Sequence, residues 1–278
     1  MKNILKIMLM MITIYTIAGS AVYAAEIPVS DQDQLITSSD WTEISNLQDE
    51  MKKEEPDATI DYDKALKVYV DCNLIKLQTA DTKKLTSALE SANYVWVIPF
   101  KMEKTYGMFT VAKGLPLREE AKSVLTKAEQ EEVKNHAGKW MITEIAEHTV
   151  EPYYDILLEK REALSDCTRV VLVGSQPGMR QPVALGMDDE TARIWISLGY
   201  QYPVMEKIPE TQNVESGVYS FDSVAEISDT YIEDSEVSTG AGVQSRSSMK
   251  YVAGIGIIVI GSILILSVLK KKKLEDYE

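Results

Sequence analysis

Cysteine, histidine, proline and glycine are all scarce in this 278-residue chain. Two Cys exclude a disulfide-dense mini-scaffold and a four-Cys zinc site. Nine Pro and 14 Gly exclude collagen-like and low-complexity chains. The sequence has no Asn-x-Ser/Thr acceptor, no CxxC pair and no HExxH motif. It is 45% hydrophobic and 26% charged, which is the composition of one or two ordinary folded domains.

Acidic residues outnumber basic ones, 43 to 29, and the formal net charge is -14. Both chain ends are net positive, so the acidic excess lies in the body between them. An acidic surface disfavours nucleic acid and anionic lipids, which need Lys and Arg to displace counterions. We therefore predict no nucleic-acid partner. Solubility beside a membrane accounts for this charge, and cations or a basic partner are the alternatives.

Residues 1–24 have the pattern of a secretory signal peptide. Lys2 and Lys6 give a positive start, 7–17 is apolar, and Ala24 supplies the small side chain that signal peptidase requires. We expect cleavage after Ala24, which would place the body of the chain outside the cytoplasm. An uncleaved N-terminal anchor is the alternative.

Residues 251–269 contain no charged side chain. At a rise of about 1.5 Å per residue this stretch spans ~28 Å as a helix, about the hydrocarbon thickness of a bilayer. Lys270, Lys271, Lys272 and Lys273 follow at once. Inserting one Lys at mid-bilayer costs about 2.5–3.5 kcal/mol, so this cluster stops transfer and stays cytoplasmic. The pattern predicts a single-pass protein of the cell membrane with a short cytoplasmic tail, residues 270–278.

The extracytoplasmic part is predicted to have three segments. Residues 25–39 are expected to be a loose leader, 40–226 an α+β (mixed α/β) domain, and 227–250 an acidic Ser/Gly stalk. Helical spacing and capping residues predict four helices in the domain: 41–54, 81–92, 118–135 and one from Pro152. Alternation and β-branched runs predict these strands: 66–71, 94–100, 106–112, 140–148, 169–174, 182–187, 192–198 and 218–224.

The order of these elements suggests an internal repeat. A shift of about 75 residues superimposes a helix-strand-helix-strand-strand order in 41–113 on the same order in 118–187. Few residues are identical between the two units, so the element order alone carries this hypothesis. If the repeat is real, the body is pseudo-twofold.

Cys72 and Cys167 are candidates for a disulfide, because a chain outside the cytosol has no thiol pool to keep them reduced. A bridge would close a long loop and stabilise the fold by about 4–5 kcal/mol in the chain-entropy model. Two buried free thiols are the alternative, since free Cys is among the most buried residues.

Four other features suggest a chemical role but are more simply structural. Glu144, His148 and Glu151 could serve an acid-base or zinc site, although their spacing matches no named motif. Residues 174–178 lack both the nucleophile-elbow and the P-loop pattern and are typical of a hairpin turn. The acidic run 188–190 is typical of a turn between strands. The four Trp are expected in the core.

No catalytic residue, metal ligand or cofactor is predicted. The sequence favours a membrane-anchored cell-surface protein whose ectodomain binds, scaffolds or senses an envelope protein partner. Two alternatives stay open: a membrane-anchored envelope hydrolase, with a metal in the Glu144 region, and a subunit of a membrane complex.

Overall fold

Ten strands of the described chain form one mixed sheet with helices on both faces. The structure is a computed structural model that describes residues 27–148, 152–174, 176, 179, 182–198, 207–208 and 213–228. The strands are β1 Thr59–Ile60, β2 Leu66–Val70, β3 Asn93–Lys101, β4 Tyr106–Lys113, β5 Trp140–His148, β6 Arg169–Val173, β7 Val183–Met187, β8 Ala192–Ser197, β9 Asn213–Glu215 and β10 Val218–Ser220.

Seven α-helices accompany these strands in the described ranges. They are α1 Trp41–Ile44, α2 Gln48–Glu54, α3 Thr82–Ser91, α4 Glu119–Lys122, α5 Lys127–His136, α6 Tyr153–Glu159 and α7, residues 221–228. A 3-10 turn, Ser45–Leu47, joins α1 to α2, so the helix predicted over 41–54 is confirmed as one helical run. The α+β class is likewise confirmed.

The strand order is β5-β4-β3-β2-β6-β7-β8-β10-β9, and β1 also pairs with β3. Every neighbouring pair is antiparallel except β2 and β6, which run parallel at the centre. Consecutive strands can be joined by short turns only in the antiparallel parts. The parallel pair therefore joins two strands that are far apart in sequence, with β3, β4, β5 and α6 between them.

Successive side chains of β2 lie on opposite faces of the sheet, which we call the front and the back face. Val68 and Val70 lie on the back face, in a cluster covered by Leu157 of α6. Tyr69 lies on the front face, in a cluster covered by Leu85 of α3. A second front-face cluster lies over β3, β4 and β5 and is closed by α1 and α2.

The described residues of the N-terminal segment, 27–39, belong to the folded body, which corrects the prediction of a loose leader over 25–39. Val29 forms a parallel bridge with Val170 of β6, and Gln34 an antiparallel bridge with Leu66 of β2. The segment thus enters the sheet where β2 and β6 diverge. Leu35 is fully buried. The sequence did not predict this packing, because the segment is mostly polar and its few apolar residues follow neither a helical nor a strand period.

Two other boundaries differ from the predictions. The helix expected over 118–135 is two helices, because Thr126 accepts a hydrogen bond from the Glu129 N–H and starts α5 in a capping box. Val124, between the two helices, is 79% exposed. The strand expected over 218–224 ends at Ser220 and gives way to α7. That helix reaches buried Ser228, so the start of the predicted stalk is part of the domain.

The strands that the repeat hypothesis equates have different places in the sheet. Strand β2 is central, whereas its counterpart β5 is the outermost strand on its side. Strand β2 pairs with β3, but β5 does not neighbour β6. The sheet order therefore lends the repeat no support, and it stays a hypothesis.

No helix among the described residues is long and apolar enough to cross a bilayer. The predicted signal peptide 1–24, most of the stalk, the span 251–269 and the cluster of Lys270 to Lys273 lie outside the described residues.

Candidate functional site

A lysine lies at the centre of the front face. The register of β2 and β3 sets Lys67 opposite Trp96 and Tyr69 opposite Tyr94. The Lys67 ammonium is 4.5 Å from the ring centre of Tyr94, 5.2 Å from that of Trp96 and 5.8 Å from that of Tyr69. These are cation–π distances. The Lys67 side chain is only 10% exposed. Its positive charge therefore lies inside the fold, among three aromatic rings.

Asp33 joins the elements around this lysine. Its side chain is 2% exposed. One carboxylate oxygen accepts a hydrogen bond from the Tyr69 hydroxyl at 2.7 Å. The other accepts from the Ser30 hydroxyl at 2.6 Å and from Nη2 of Arg169 at 3.0 Å. The Lys67 ammonium is 3.8 Å from the carboxylate, close enough for an ion pair but too far for a hydrogen bond. We call Asp33, Lys67, Tyr69 and Arg169 the Asp33 cluster.

A second carboxylate, that of Asp40, holds two of the rings around Lys67. Asp40, just before α1, accepts hydrogen bonds from the Tyr94 hydroxyl at 2.8 Å and from Nε1 of Trp96 at 3.0 Å through one oxygen. The rings that flank Lys67 are therefore held in place by their polar atoms as well as by packing.

Burial sets the proton affinities in this region. It lowers the pKa of Lys67, and the nearby Asp33 carboxylate partly opposes that shift. It raises the pKa of Tyr69 far above the usual value, and Asp33 adds to the effect. Burial and the hydrogen bond to Asp40 do the same for Tyr94. Both phenols thus stay protonated near neutral pH and act as hydrogen-bond donors to carboxylates.

One donor of the Asp33 cluster has no acceptor. Nε of Arg169 is buried and makes no hydrogen bond with any described residue. The rest of the guanidinium reaches Asp33 through Nη2, and the side chain is 18% exposed. Buried donors without partners are rare in folded proteins, and each one calls for a physical explanation.

The predicted bridge between Cys72 and Cys167 is not formed, because both cysteines are free and buried. Cys72 packs in the front-face cluster with α3, and Cys167 in the back-face cluster with α6. The sheet itself separates the two sulfurs. Burial raises the pKa of each thiol to about 11, which leaves little nucleophilic thiolate at neutral pH.

We expect neither thiol to react with Ellman's reagent in the native full-length chain at about pH 8, and both to react after unfolding in guanidinium without reductant. The physical reason is the combination of burial and raised pKa. The measurement is the absorbance of the released thionitrobenzoate. No reactive thiol in the unfolded, unreduced chain would show a disulfide and contradict the structure.

The region suggested for a hydrolase is only partly described. Glu144 is exposed on β5, opposite Thr110 of β4. The backbone of His148 pairs with Tyr106 at the end of the same strand, while Glu151 lies outside the described residues. In the described part of the chain, no group of three or more His, Cys, Asp or Glu is placed to hold a metal ion.

Hydrogen bonds among the described residues agree with the two turns predicted at 188–190 and 174–178. The Asp188 carboxylate accepts from the backbone N–H groups of Thr191 at 2.6 Å and Glu190 at 2.8 Å, which holds the pKa of Asp188 below its usual range. At the other turn, the Met179 N–H donates to the Gln176 carbonyl at 3.0 Å. The buried Gln176 side chain also donates to the Cys72 carbonyl at 2.6 Å.

Three of the four Trp are buried: Trp96, Trp140 and Trp195. Trp41 is partly exposed and packs edge-on against Tyr62, with ring centres 5.2 Å apart. The expectation of core tryptophans is thus largely confirmed. For Trp96 the core position has a second role, because its ring faces the buried Lys67 ammonium.

Sequence reasoning missed the Asp33 cluster. Asp33 falls in the segment that was expected to be a leader, and its partner Arg169 is distant in sequence. The one available signal was Lys67, a charged residue inside the alternating strand 66–71 on the same face as Tyr69.

Comparisons with protein family models, with curated proteins and with solved structures each found no match.

Proposed function

We propose that this chain is a single-pass cell-membrane protein whose domain faces away from the cytoplasm and has a non-enzymatic binding, scaffolding or sensing role. The observation that carries the proposal is the uncharged stretch 251–269 with Lys270 to Lys273 directly after it. Such a helix matches the bilayer thickness, and the Lys cluster would hold its end on the cytoplasmic side. The signal-like residues 1–24 agree with that orientation.

The geometry of the domain supports binding more than catalysis. A general base needs a free lone pair within reach of a substrate proton. The Asp33 carboxylate is 2% exposed and is held by hydrogen bonds from Tyr69, Ser30 and Arg169, so it is out of reach of a substrate. Tyr69 and Tyr94 stay protonated, and both thiols are buried with raised pKa values. The buried polar groups thus act as fixed donors and acceptors.

Two finer features belong to the same proposal. One is the C-terminal transmembrane helix itself. The other is the repeat of about 75 residues. The shared element order of 41–113 and 118–187 favours it. The different strand neighbours of β2 and β5 count against it. An envelope protein is the partner that this placement would favour.

The orientation is testable with single introduced cysteines. In intact expressing cells, a membrane-impermeant maleimide is expected to label Lys104→Cys, which is exposed between β3 and β4. Leu274→Cys, in the proposed cytoplasmic tail, is expected to react only after the membrane is permeabilised. The buried native thiols give a low background. The measurement is a gel shift of the labelled chain.

The wild-type chain, treated in the same way, is the control for that background. Labelling of Leu274→Cys in intact cells, with Lys104→Cys protected until lysis, would overturn the proposed orientation. Protection of both positions until lysis would place the whole chain inside the cell and overturn the proposal as well.

A further inference from the structure

A helical arm, residues 115–136, joins β4 to β5. It leaves the sheet at Gly114 and returns at Ala137, where the two backbones form a parallel bridge and the Gly138 N–H donates to the Gly114 carbonyl at 2.8 Å. No residue of α5, the longer helix of the arm, is buried. Helices of globular proteins usually bury one apolar face, so packing in the core does not explain this helix.

The turn between α4 and α5 presents apolar side chains to solvent. We call residues 122–127 the arm tip. Its Val124 is 79% exposed, the largest value for a large apolar side chain in the described ranges, and Leu125 beside it is partly exposed. The Gln130 side chain donates to the Lys122 carbonyl at 3.0 Å and to the Leu125 carbonyl at 2.9 Å. These hydrogen bonds fix the turn, so the exposure of Val124 belongs to an ordered part of the chain.

Two lysines flank these apolar residues. Lys122 and Lys127 are both exposed and lie at the two ends of the arm tip. Lys122 forms an ion pair with the exposed Glu119, and Lys127 forms none with a described residue. A lysine side chain can lay its apolar stem along lipid while its ammonium stays among the phosphate groups. Apolar side chains between two such lysines therefore suit the boundary between lipid headgroups and acyl chains.

A lipid surface fits the arm tip better than a protein does. The tip offers two adjacent apolar side chains, whereas a stable protein–protein interface buries about 1,200 Å² or more in total. So small a contact is weak for a free molecule, but a tether converts it into an intramolecular event with an effective concentration of up to about mM. Residues 229–250 can extend over at most ~75 Å, which gives the domain room to bring the arm tip to the bilayer.

We propose that Val124 and Leu125 insert into the surface of the membrane that anchors this chain, with Lys122 and Lys127 at the lipid phosphates. The inference deepens the proposed function and rests on it, because the contact needs the anchor. It also orients the domain. The arm follows the carboxyl end of β4, and the turn before β4, with Lys104, lies at the other end of that strand, about 25 Å away. Insertion of the arm tip would therefore hold Lys104 away from the lipid.

A fluorophore beside the tip tests this contact in the full-length chain, reconstituted into vesicles of phosphatidylcholine and phosphatidylglycerol. The label is nitrobenzoxadiazole on Ala128→Cys, an exposed position of α5, and the buried native thiols stay unlabelled. We expect lipids with a nitroxide near the headgroup to quench this label. Val124→Asp, added to the labelled chain, is expected to lower the ratio of inserted to free arm about tenfold or more, because it removes the burial of an apolar side chain and adds a charge.

Two matched variants are the controls. Val214→Asp makes the same change at another exposed valine, on β9, where the side chain is 57% exposed. In the chain labelled at Ala128→Cys, it is expected to leave the quenching unchanged. The same label on Lys104→Cys, at the far end of β4, is expected to escape quenching. Far-ultraviolet circular dichroism checks that every variant is folded.

Extraction of the same vesicles with alkaline carbonate, followed by flotation, reports the anchor separately. A chain that floats with the vesicles while its label at Ala128→Cys stays unquenched would overturn the arm contact and leave the proposed membrane span in place. Quenching that is equal at Lys104→Cys, or that survives Val124→Asp, would overturn the contact as well. A chain that carbonate releases from the vesicles would overturn the membrane span, and the arm contact with it.

Discussion

Asp33→Ala is expected to lower the free energy of unfolding by about 3–5 kcal/mol, the range for breaking a buried ion pair from one side. The substitution removes the acceptor of the Tyr69 hydroxyl and of Nη2 of Arg169. It also leaves Lys67 and Arg169 inside the fold without their common counter-charge. The measurement is urea unfolding of the full-length chain in detergent, followed by circular dichroism.

Asp31→Ala is the matched control, because Asp31 begins the 3-10 helix Asp31–Asp33 that ends at Asp33, and Asp31 is exposed. Exposed substitutions of this kind usually change stability by less than about 0.5 kcal/mol. Asp33→Asn keeps the size and one acceptor oxygen but removes the charge, so its effect should lie between the two. A loss below about 1 kcal/mol for Asp33→Ala would contradict the structure, since it would mean that solvent already screens these charges.

The secondary structure could be predicted because its signals are local. Strand β2 alternates apolar and polar residues over Leu66–Val70, and α3 has a capping residue, Asp81, one position before its first turn. Such patterns act over a few residues, and both elements were predicted within about one residue of their ends. The α+β class follows from them.

The long-range arrangement could not be predicted in the same way. The parallel pairing of β2 with β6 joins strands that are far apart in sequence, and no local pattern specifies it. The entry of residues 27–35 between these strands depends on that pairing. The separation of Cys72 from Cys167 follows from which face of the sheet each packs against. A shift of one residue in the strand register would move each side chain to the opposite face of the sheet and so reverse the faces on which the two cysteines pack.

The candidate site depends on the same long-range facts. Lys67 and Tyr69 share a face by alternation alone, which the sequence shows. That Trp96 and Tyr94 lie opposite them requires the register of β2 and β3. That Asp33 and Arg169 complete the cluster requires the N-terminal segment and β6 to meet beside β2. Each of these long-range contacts adds a residue to the site that no local hydrophobic pattern in the sequence could identify.

Gly107→Ala is expected to destabilise the fold by about 3 kcal/mol, at the upper end of the usual range for overpacking a core. Gly107 of β4 lies opposite Phe100 of β3, and the Phe100 ring covers it. A Cβ at Gly107 would lie 2.1 Å from Cζ of that ring, far inside contact distance. The ring is 1% exposed and packs against Phe109 with ring centres 4.6 Å apart, so it has no free space to move into.

Gly174→Ala, directly after β6, is the control, because a Cβ there would meet its nearest neighbours at 3.6 Å, an ordinary contact distance. Its effect should stay below about 1 kcal/mol. Phe100→Leu shortens the side chain over Gly107, so the double variant with Gly107→Ala should lose less stability than the sum of the single changes, by about 1 kcal/mol or more. Urea unfolding measures all four variants. Additive effects, or a Gly107→Ala variant as stable as Gly174→Ala, would show that the ring does not cover Gly107 and would contradict the pairing of Phe100 with Gly107 between β3 and β4.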